Sequence, residues 1–560
     1  MAQQVSVSAQ STFCATLVDE WSRCGATDAV VCPGSRSTPL AVALAAAPGI
    51  RVHVRLDERS AAFYAVGIAK ASRLPVIVCT TSGTAAVELH PAVVEAHHGL
   101  VPLLVCTADR PPELQGIGAP QTIDQVGLFT SSTRWAMAVG VPEEQEQGTW
   151  RALAQRSYVH AAHDADGPGP VHLNLAFRDP LVGESGPLPE TLDPLTPEVA
   201  HPDKGTSLTG SRGLIVAGAN AVHSPAALLA LAESLGWPLL ADPLSGCRLP
   251  GTIAASDALM RSDDLPLPET VLVLGTPPIS KVLGDYLTRA ASGGTRIISV
   301  DPHGRRIDPH RVVTDFHHAD PDDFMAAAAT ELTTKDPDWL AFWQDAEDGA
   351  QAAIDRTLGD RLTEPFVARS VARHAADADA TIVVSASMPL RDLEWFAPTH
   401  QRPPRVLANR GANGIDGIVS TAFGVASTGQ PTIALLGDLA FLHDVSGLVN
   451  LDAQLPCTFV VPDNGGGGIF SFLPQATAFD APSFELLFGT PPTSDVGAVA
   501  TGFGLGVTEV TTVDQLTDAL LNAPTSPHLI RVRVPSRRDN VALHEEVNQA
   551  VRLSLEGRRR

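Results

Sequence analysis

Two residues with oxygen-bearing side chains follow apolar runs late in the chain. The run Thr432 to Leu436 ends in Gly437-Asp438. The run Cys457 to Val461 ends in Asp463-Asn464 and the four glycines Gly465 to Gly468. Asp438 and Asn464 are 26 positions apart, room for a helix and a strand. Strand, turn, helix, strand, turn predicts neighbouring strands of a parallel α/β sheet. Ligands in such sheets bind beyond the carboxyl ends of the strands. The Asp438 carboxylate, the Asn464 amide oxygen and the Gly466 carbonyl are hard oxygen ligands, suited to Mg²⁺ or Mn²⁺. The remaining octahedral positions suit a diphosphate and water. The glycines let the backbone come close to phosphates.

Other residues could do chemistry from similar places. Asp57-Glu58 follows the strand-like run Arg51 to Leu56 and opens a helix through about Ser72. Acids in a first turn favour the helix dipole, which is their structural use. Their chemical use is proton transfer by Glu58. Arg36 and Arg110 follow strands in glycine- or proline-rich loops, where function concentrates; a solvated surface charge is the alternative. Arg391 lies four residues after Ser387, so a helix starting there puts both on one face.

Alternating helices and strands must position these residues. Strands are predicted near 29–32, 51–56, 76–79, 103–106 and 171–176 in domain 1–185. A proline-rich linker, 186–212, follows. Domain 213–335 has strands near 214–217, 238–241, 271–274 and 296–300. Its Asp301 resembles a ribose-binding acid, but VAGANAVHS at 216–224 lacks the glycine fingerprint, so a structural middle domain is expected. Domain 336–560 starts with a polar helix, Trp339 to Gly359. Its strands lie near 381–384, 406–408, 432–436, 458–461 and 529–534. The pattern predicts an α/β protein of three doubly wound parallel sheets.

Composition narrows the partners. The chain has 560 residues, 44% apolar and 18% charged, with net charge −23. That charge argues against nucleic acid or an anionic membrane as the main partner, and anionic substrates would need locally placed Arg or Lys. Seven cysteines without a CxxC pair predict reduced core thiols in a cytoplasmic protein. The first residues, MAQQVSVSAQ, carry no signal-peptide pattern, and no run of about 20 apolar residues predicts a membrane span.

The stretch Gly437-Asp438 to Asn464 resembles the thiamine diphosphate motif, which starts with Gly-Asp and ends with Asn about a helix and a strand later. Leu439 stands where the motif usually has a second Gly. More specific pieces are CPGSRSTPL at 32–40, DERSAAF at 57–63, TSGTA at 81–85, TADRPPEL at 107–114, NRGANGIDG at 409–417, GDLAFLHD at 437–444 and DNGGGGIFSFLP at 463–474. With these, the sequence is similar to the 2-succinyl-5-enolpyruvyl-6-hydroxy-3-cyclohexene-1-carboxylate (SEPHCHC) synthases of menaquinone biosynthesis, across all three domains.

That resemblance implies a transferase that decarboxylates 2-oxoglutarate and adds the succinyl carbanion equivalent to isochorismate. Another thiamine diphosphate-dependent 2-oxo acid decarboxylase or carboligase is the alternative. It implies that 1–185 binds the cofactor's pyrimidine and 336–560 its diphosphate with Mg²⁺ or Mn²⁺. Glu58 would act at the pyrimidine N1′. Ile415 would wedge between the two rings. Gly437, Asp438, Leu439, Asn464, Gly466 and Ile469 would complete the cofactor site, with Asp438, Asn464 and Gly466 on the metal. Ser387 and Arg391 would hold the distal carboxylate derived from 2-oxoglutarate. Ser35, Arg36, Arg110, Gln121 and Lys281 would face isochorismate. Arg410 would serve either substrate, and Ile469, Phe470 and Leu473 would form an apolar wall. Glu58 and Asp438 belong to different domains and meet across a subunit interface in that family. A homodimer at least is implied, with a homotetramer expected.

Overall fold

The computed structural model describes residues 6–195, 208–263, 265–328, 335–450 and 452–558. They form three helix-covered sheets. The first has β1 (Asp28–Val31), β2 (Arg51–Val54), β3 (Val76–Thr80), β4 (Leu103–Asp109), β5 (Trp135–Val139) and β6 (Pro170–Ala176), in the order β2-β1-β3-β4-β6-β5. The second has β7 (Gly213–Ala217), β8 (Leu239–Ala241), β9 (Thr270–Leu274), β10 (Arg296–Asp301) and β11 (Asp315–His318), in the order β11-β10-β9-β7-β8. The third has β12 (Thr381–Val384), β13 (Val406–Ala408), β14 (Thr432–Leu435), β15 (Cys457–Asp463), β16 (Gly506–Val510) and β17 (His528–Arg533), in the order β13-β12-β14-β15-β17-β16. The registered strand pairs are parallel in all three sheets. This is the expected α/β architecture.

The first and third sheets share one topology, with β12 to β17 standing where β1 to β6 stand. In each, the winding reverses beside the first strand, between β1 and β3 and between β12 and β14. Such a reversal opens a crevice at the carboxyl ends of the strands. The central strands are buried along their length, as in β3, β4 and β6. A parallel sheet covered on both faces requires such continuous apolar runs. Polar caps start the helices that follow. Asp57 accepts the Ser60 N–H at 2.7 Å and opens the helix Glu58–Ser72.

The described residues fall into two compact units. One lies within Met1–Glu198, Asn409–Gln430 and Ala440–Cys457, the other within Val199–Ala408, Pro431–Leu439 and Thr458–Arg560. In the second unit, the helices Pro337–Leu358 and Arg537–Arg558 pack on the second sheet. Trp339, Trp343, Ile354, Val547 and Val551 share a core with Leu214, Val216 and Val271. Buried Arg248 donates to the carbonyls of Leu393 (2.9 Å), Glu394 (2.5 Å) and Ala397 (2.6 Å), at the end of the helix Met388–Phe396. Carbonyls at a helix end lack partners within the helix. Arg248 thereby fixes the far end of the helix that starts beside Ser387.

The second sheet's own crevice is closed. Ala219 and Thr276 form an antiparallel bridge beyond β7 and β9. The Asp301 carboxylate is taken by the Arg305 guanidinium at 2.7 Å and the His303 N–H at 2.9 Å. Of the expected linker 186–212, residues 196–207 lie outside the described ones, and 186–195 contain neither helix nor strand. All seven cysteines are free, and six are buried. No described helix is long and apolar enough to cross a membrane.

Candidate active site

In the second unit, the turns after β12, β14 and β15 carry ten of the expected residues. Asp438 starts the helix Asp438–His443 just after β14. Its Oδ1 accepts the Leu439 N–H at 2.7 Å. Its Oδ2 is buried without a hydrogen-bond partner, and so is Asn464 Oδ1 after the adjacent strand β15. Burial pushes the Asp438 carboxyl up to about 6, while the Leu439 N–H pulls it down. Gly466 has φ +134°, and a Cβ there would lie 2.2 Å from the Gly489 carbonyl oxygen, so only glycine fits this turn. At Gly437 and Gly465 a Cβ would meet no atom within 4 Å. Two buried oxygens in need of a positive partner, beside open space over glycine backbone, fit a divalent cation with a diphosphate. Among the described residues, no three His, Cys, Asp or Glu side chains cluster as a metal centre by themselves.

The Asn464 turn is held from two sides. Asp463 Oδ2 accepts from Arg531 Nε at 2.7 Å and Arg533 Nη1 at 2.9 Å. Asn464 Nδ2 donates to Glu364 Oε1 at 3.0 Å, as does Asn540 Nδ2 at 3.0 Å. The first bond leaves Asn464 Oδ1 free to face the crevice. Burial pushes Glu364 up to about 8, with Asp392 adding to it. His544 Nε2 lies 3.2 Å from Asp392 Oδ1 but out of hydrogen-bonding alignment. Burial favours neutral forms of both, raising Asp392 and pushing His544 down to about 4.

Ser387 precedes the helix Met388–Phe396 with φ +82° and ψ −145°. Arg391 Nη1 donates to the Ser387 carbonyl at 2.9 Å. A Cβ on Gly468 would lie 2.7 Å from Asn464 Nδ2 and 3.8 Å from Met388 Cγ, so this helix start adjoins the Asn464 turn. Ile469 and Phe470 are half-buried, and Leu473 is exposed. The Phe470 ring centre is 5.7 Å from that of Phe488. Lys281 also lies in this unit, exposed at the start of the helix Lys281–Ser292 that follows β9 of the second sheet.

In the first unit, the turns after β1, β3 and β4 bring Arg36, Arg110 and Gln121 together. Arg36 Nη1 donates to the Phe177 carbonyl (3.0 Å) and Asp179 Oδ2 (3.2 Å), while its Nε is buried without a partner. Arg110 Nη1 donates to Ser82 Oγ at 2.6 Å, and Nη2 to the Pro120 carbonyl at 3.0 Å. Burial, then the Arg36 charge, lowers the Arg110 pKa. Gln121 Nε2 donates to the Ser82 carbonyl at 3.0 Å. Ser35 is exposed on the same β1 turn. Glu58 is half-buried, and burial raises its pKa, with Asp57 and Glu88 adding to the effect. Its helix start is fastened by Arg59, which donates to the His443 carbonyl at 3.0 Å, and by Ser60, 2.7 Å from Ser446 Oγ. Arg410 and Ile415 lie on the loop before the helix Ile418–Ala426, with Ile415 36% exposed.

Known proteins match this sequence along most of its length. Residues 12–128 match the family model of the thiamine pyrophosphate enzyme N-terminal TPP binding domain. Residues 193–382 match the middle domain, and 394–532 the C-terminal TPP binding domain. A SEPHCHC synthase of Thermobifida fusca is 43% identical over 96% of this chain and 98% of its own length. Those of Bacillus velezensis (38% identical, 96% and 97%) and Chloroflexus aurantiacus (39%, 97% and 96%) are also similar end to end. The chain belongs to the SEPHCHC synthase family. Its cofactor is therefore thiamine pyrophosphate, also called thiamine diphosphate. Sequence reasoning about this SEPHCHC synthase family member passes over Glu364, Asp392, Asn540 and His544. Glu364 carries only the signal of a helix start after Thr363, and nothing local marks the other three.

Proposed function

We propose that the protein decarboxylates 2-oxoglutarate on thiamine diphosphate and adds the succinyl carbanion equivalent to the β-carbon of isochorismate, giving SEPHCHC and CO₂ for menaquinone biosynthesis. The observation that carries this reading is the end-to-end similarity to relatives named for that synthesis. The bound cofactor supplies an electron sink for the carbanion equivalent. Asp438, Asn464 and Gly466 hold Mg²⁺, or Mn²⁺, and through it the diphosphate. Glu58 moves a proton at the pyrimidine N1′. Ile415 presses against the rings. Ser387 and Arg391 hold the distal carboxylate of 2-oxoglutarate by charge-assisted hydrogen bonds. Ser35, Arg36, Arg110, Gln121 and Lys281 face isochorismate, and Arg410 faces either substrate. Ile469, Phe470 and Leu473 exclude water that would protonate the carbanion equivalent.

In this reading 1–185 is the pyrimidine-binding domain, 213–335 the structural middle domain and 336–560 the diphosphate-binding domain. Glu58 and Asp438 belong to different units of one chain, which suits active sites at the subunit interfaces of a cytoplasmic homodimer or homotetramer. The test is incubation with thiamine diphosphate, Mg²⁺, 2-oxoglutarate and isochorismate. SEPHCHC and isochorismate-dependent CO₂ release are expected. Release that ignores isochorismate would indicate a different 2-oxo acid decarboxylase, and no release a non-catalytic relative.

A further inference from the structure

Glu95 sits on the helix His90–Gly99 in the first unit and is 3% exposed. Its Oε1 accepts the Gly411 N–H at 3.0 Å, and its Oε2 accepts the Ala412 N–H at 2.7 Å. Lys70 Nζ is 3.5 Å from Oε1 and comes from the helix that starts with Glu58. The approach leaves no slack. A Cβ on Gly411 would lie 2.3 Å from the Glu95 carbonyl oxygen and 2.6 Å from the Gly99 nitrogen. One carboxylate thus takes two successive backbone donors of the loop Asn409–Gly417. That loop has glycines at 411, 414 and 417, so its own residues restrain its path weakly. Arg410 precedes the clamped pair, and Ile415 follows it by three residues. An apolar contact would brace the fold without desolvating a charge. Two adjacent N–H donors facing one buried carboxylate match its two oxygens.

We propose that Glu95 is a positioning residue for the reaction. It sets the loop so that Ile415 meets the cofactor and Arg410 the substrate, and through Lys70 it ties that loop to the helix of Glu58. The inference rests on the proposed roles of Ile415 and Arg410. The test compares Glu95→Ala, Glu95→Gln, Ile415→Ala and the Glu95→Ala/Ile415→Ala double variant in the full-length protein. Thiamine diphosphate affinity is read by calorimetry in the presence of Mg²⁺, and thermal unfolding is followed without cofactor. Glu95→Ala should weaken cofactor binding about ten-fold. Glu95→Gln, which keeps one acceptor oxygen, should weaken it less, and it serves as the test variant where Glu95→Ala does not fold. The double variant should bind no worse than Ile415→Ala alone, because both changes act through one loop. Wild-type affinity in both Glu95 variants, or additive losses in the cycle, would overturn the inference. Wild-type affinity in Ile415→Ala would instead remove the assigned role of Ile415. The decision then passes to Arg410. Glu95→Ala must raise the same substrate KM that Arg410→Ala raises, and an unchanged KM overturns it.

Discussion

The Arg391 guanidinium donates to the Ser387 carbonyl at 2.9 Å, across the first turn of the helix that follows β12. The pair shares one face at the sheet's crevice, while Arg36 stands after β1 in the topologically equivalent place of the first sheet. Two arginines in equivalent places on different sheets are suited to reading different substrates. Arg391→Ala should raise the KM for 2-oxoglutarate about ten- to a hundred-fold, the loss of one charge-assisted contact, and slow decarboxylation without isochorismate. Arg36→Ala should leave that half-reaction nearly intact and harm the isochorismate step. Single-turnover spectroscopy with and without isochorismate distinguishes them. Equal slowing by both would sink the two-sided assignment.

Ser387 has φ +82° and ψ −145°, a region that only glycine adopts without strain. Gly83, before the helix that follows β3, has nearly the same angles, φ +80° and ψ −141°. Ser387→Gly should raise unfolding stability by about 1 kcal/mol, the strain relieved less the entropy the unfolded chain gains. It should also raise the KM for 2-oxoglutarate, because the hydroxyl is lost. Denaturant titration and steady-state kinetics check the two halves, and a loss of stability would contradict the strain argument.

Asp438→Ala should abolish Mg²⁺-dependent cofactor binding. Glu364→Ala should weaken it by about 10- to 100-fold, because Asn464 loses the acceptor that aims its oxygen. Glu364→Gln keeps an acceptor oxygen and should retain most of the affinity. Calorimetric Mg²⁺ titrations in the presence of thiamine diphosphate measure all three. Wild-type affinity in Asp438→Ala would remove the metal assignment.

Glu58→Gln should fold and bind thiamine diphosphate but exchange the cofactor's C2 proton far more slowly. The amide keeps the shape and can hydrogen-bond, yet cannot share a proton with N1′. An unchanged exchange rate by NMR would assign the activation to another residue.

Asp444 is fully buried, and burial pushes its carboxyl up to about 6 from 3.8. It accepts the Ser420 N–H at 2.7 Å. Its folded pKa is the higher one, so between about pH 4 and pH 6 the folded state holds more protons than the unfolded state. Its contribution to stability therefore falls as pH rises through that window. Asp444→Asn keeps the acceptor and removes the titration. The variant's stability relative to wild type should grow between pH 4 and pH 7, by at most roughly 3 kcal/mol. Unfolding titrations at the two pH values check this, and a pH-independent difference would contradict it.

The strands absent from the sequence reading are β5, β11 and β16, each at the edge of its sheet. An edge strand has one neighbour and partial exposure, as the half-exposed β5 and β11 show, so no continuous apolar run marks it. The central strands were legible because burial on both faces demands such runs. Asp438 and Asn464 were legible for a related reason. Each directly follows a central strand, and parallel topology carries both to the same end of adjacent strands.

By itself, then, the sequence determined the three α/β sheets, the strand ends that carry the candidate residues, and membership of the SEPHCHC synthase family through its local motifs. Those features depend on residues close together in the chain, where apolar runs, caps and glycines leave a direct record. Only the tertiary structure decided which buried acids support them. Glu364 meets Asn464 from 100 positions away, and Glu95 meets Gly411 from 316. A hydrogen bond acts over about 3 Å in space, and the chain records no trace of which distant partner a buried carboxylate will find.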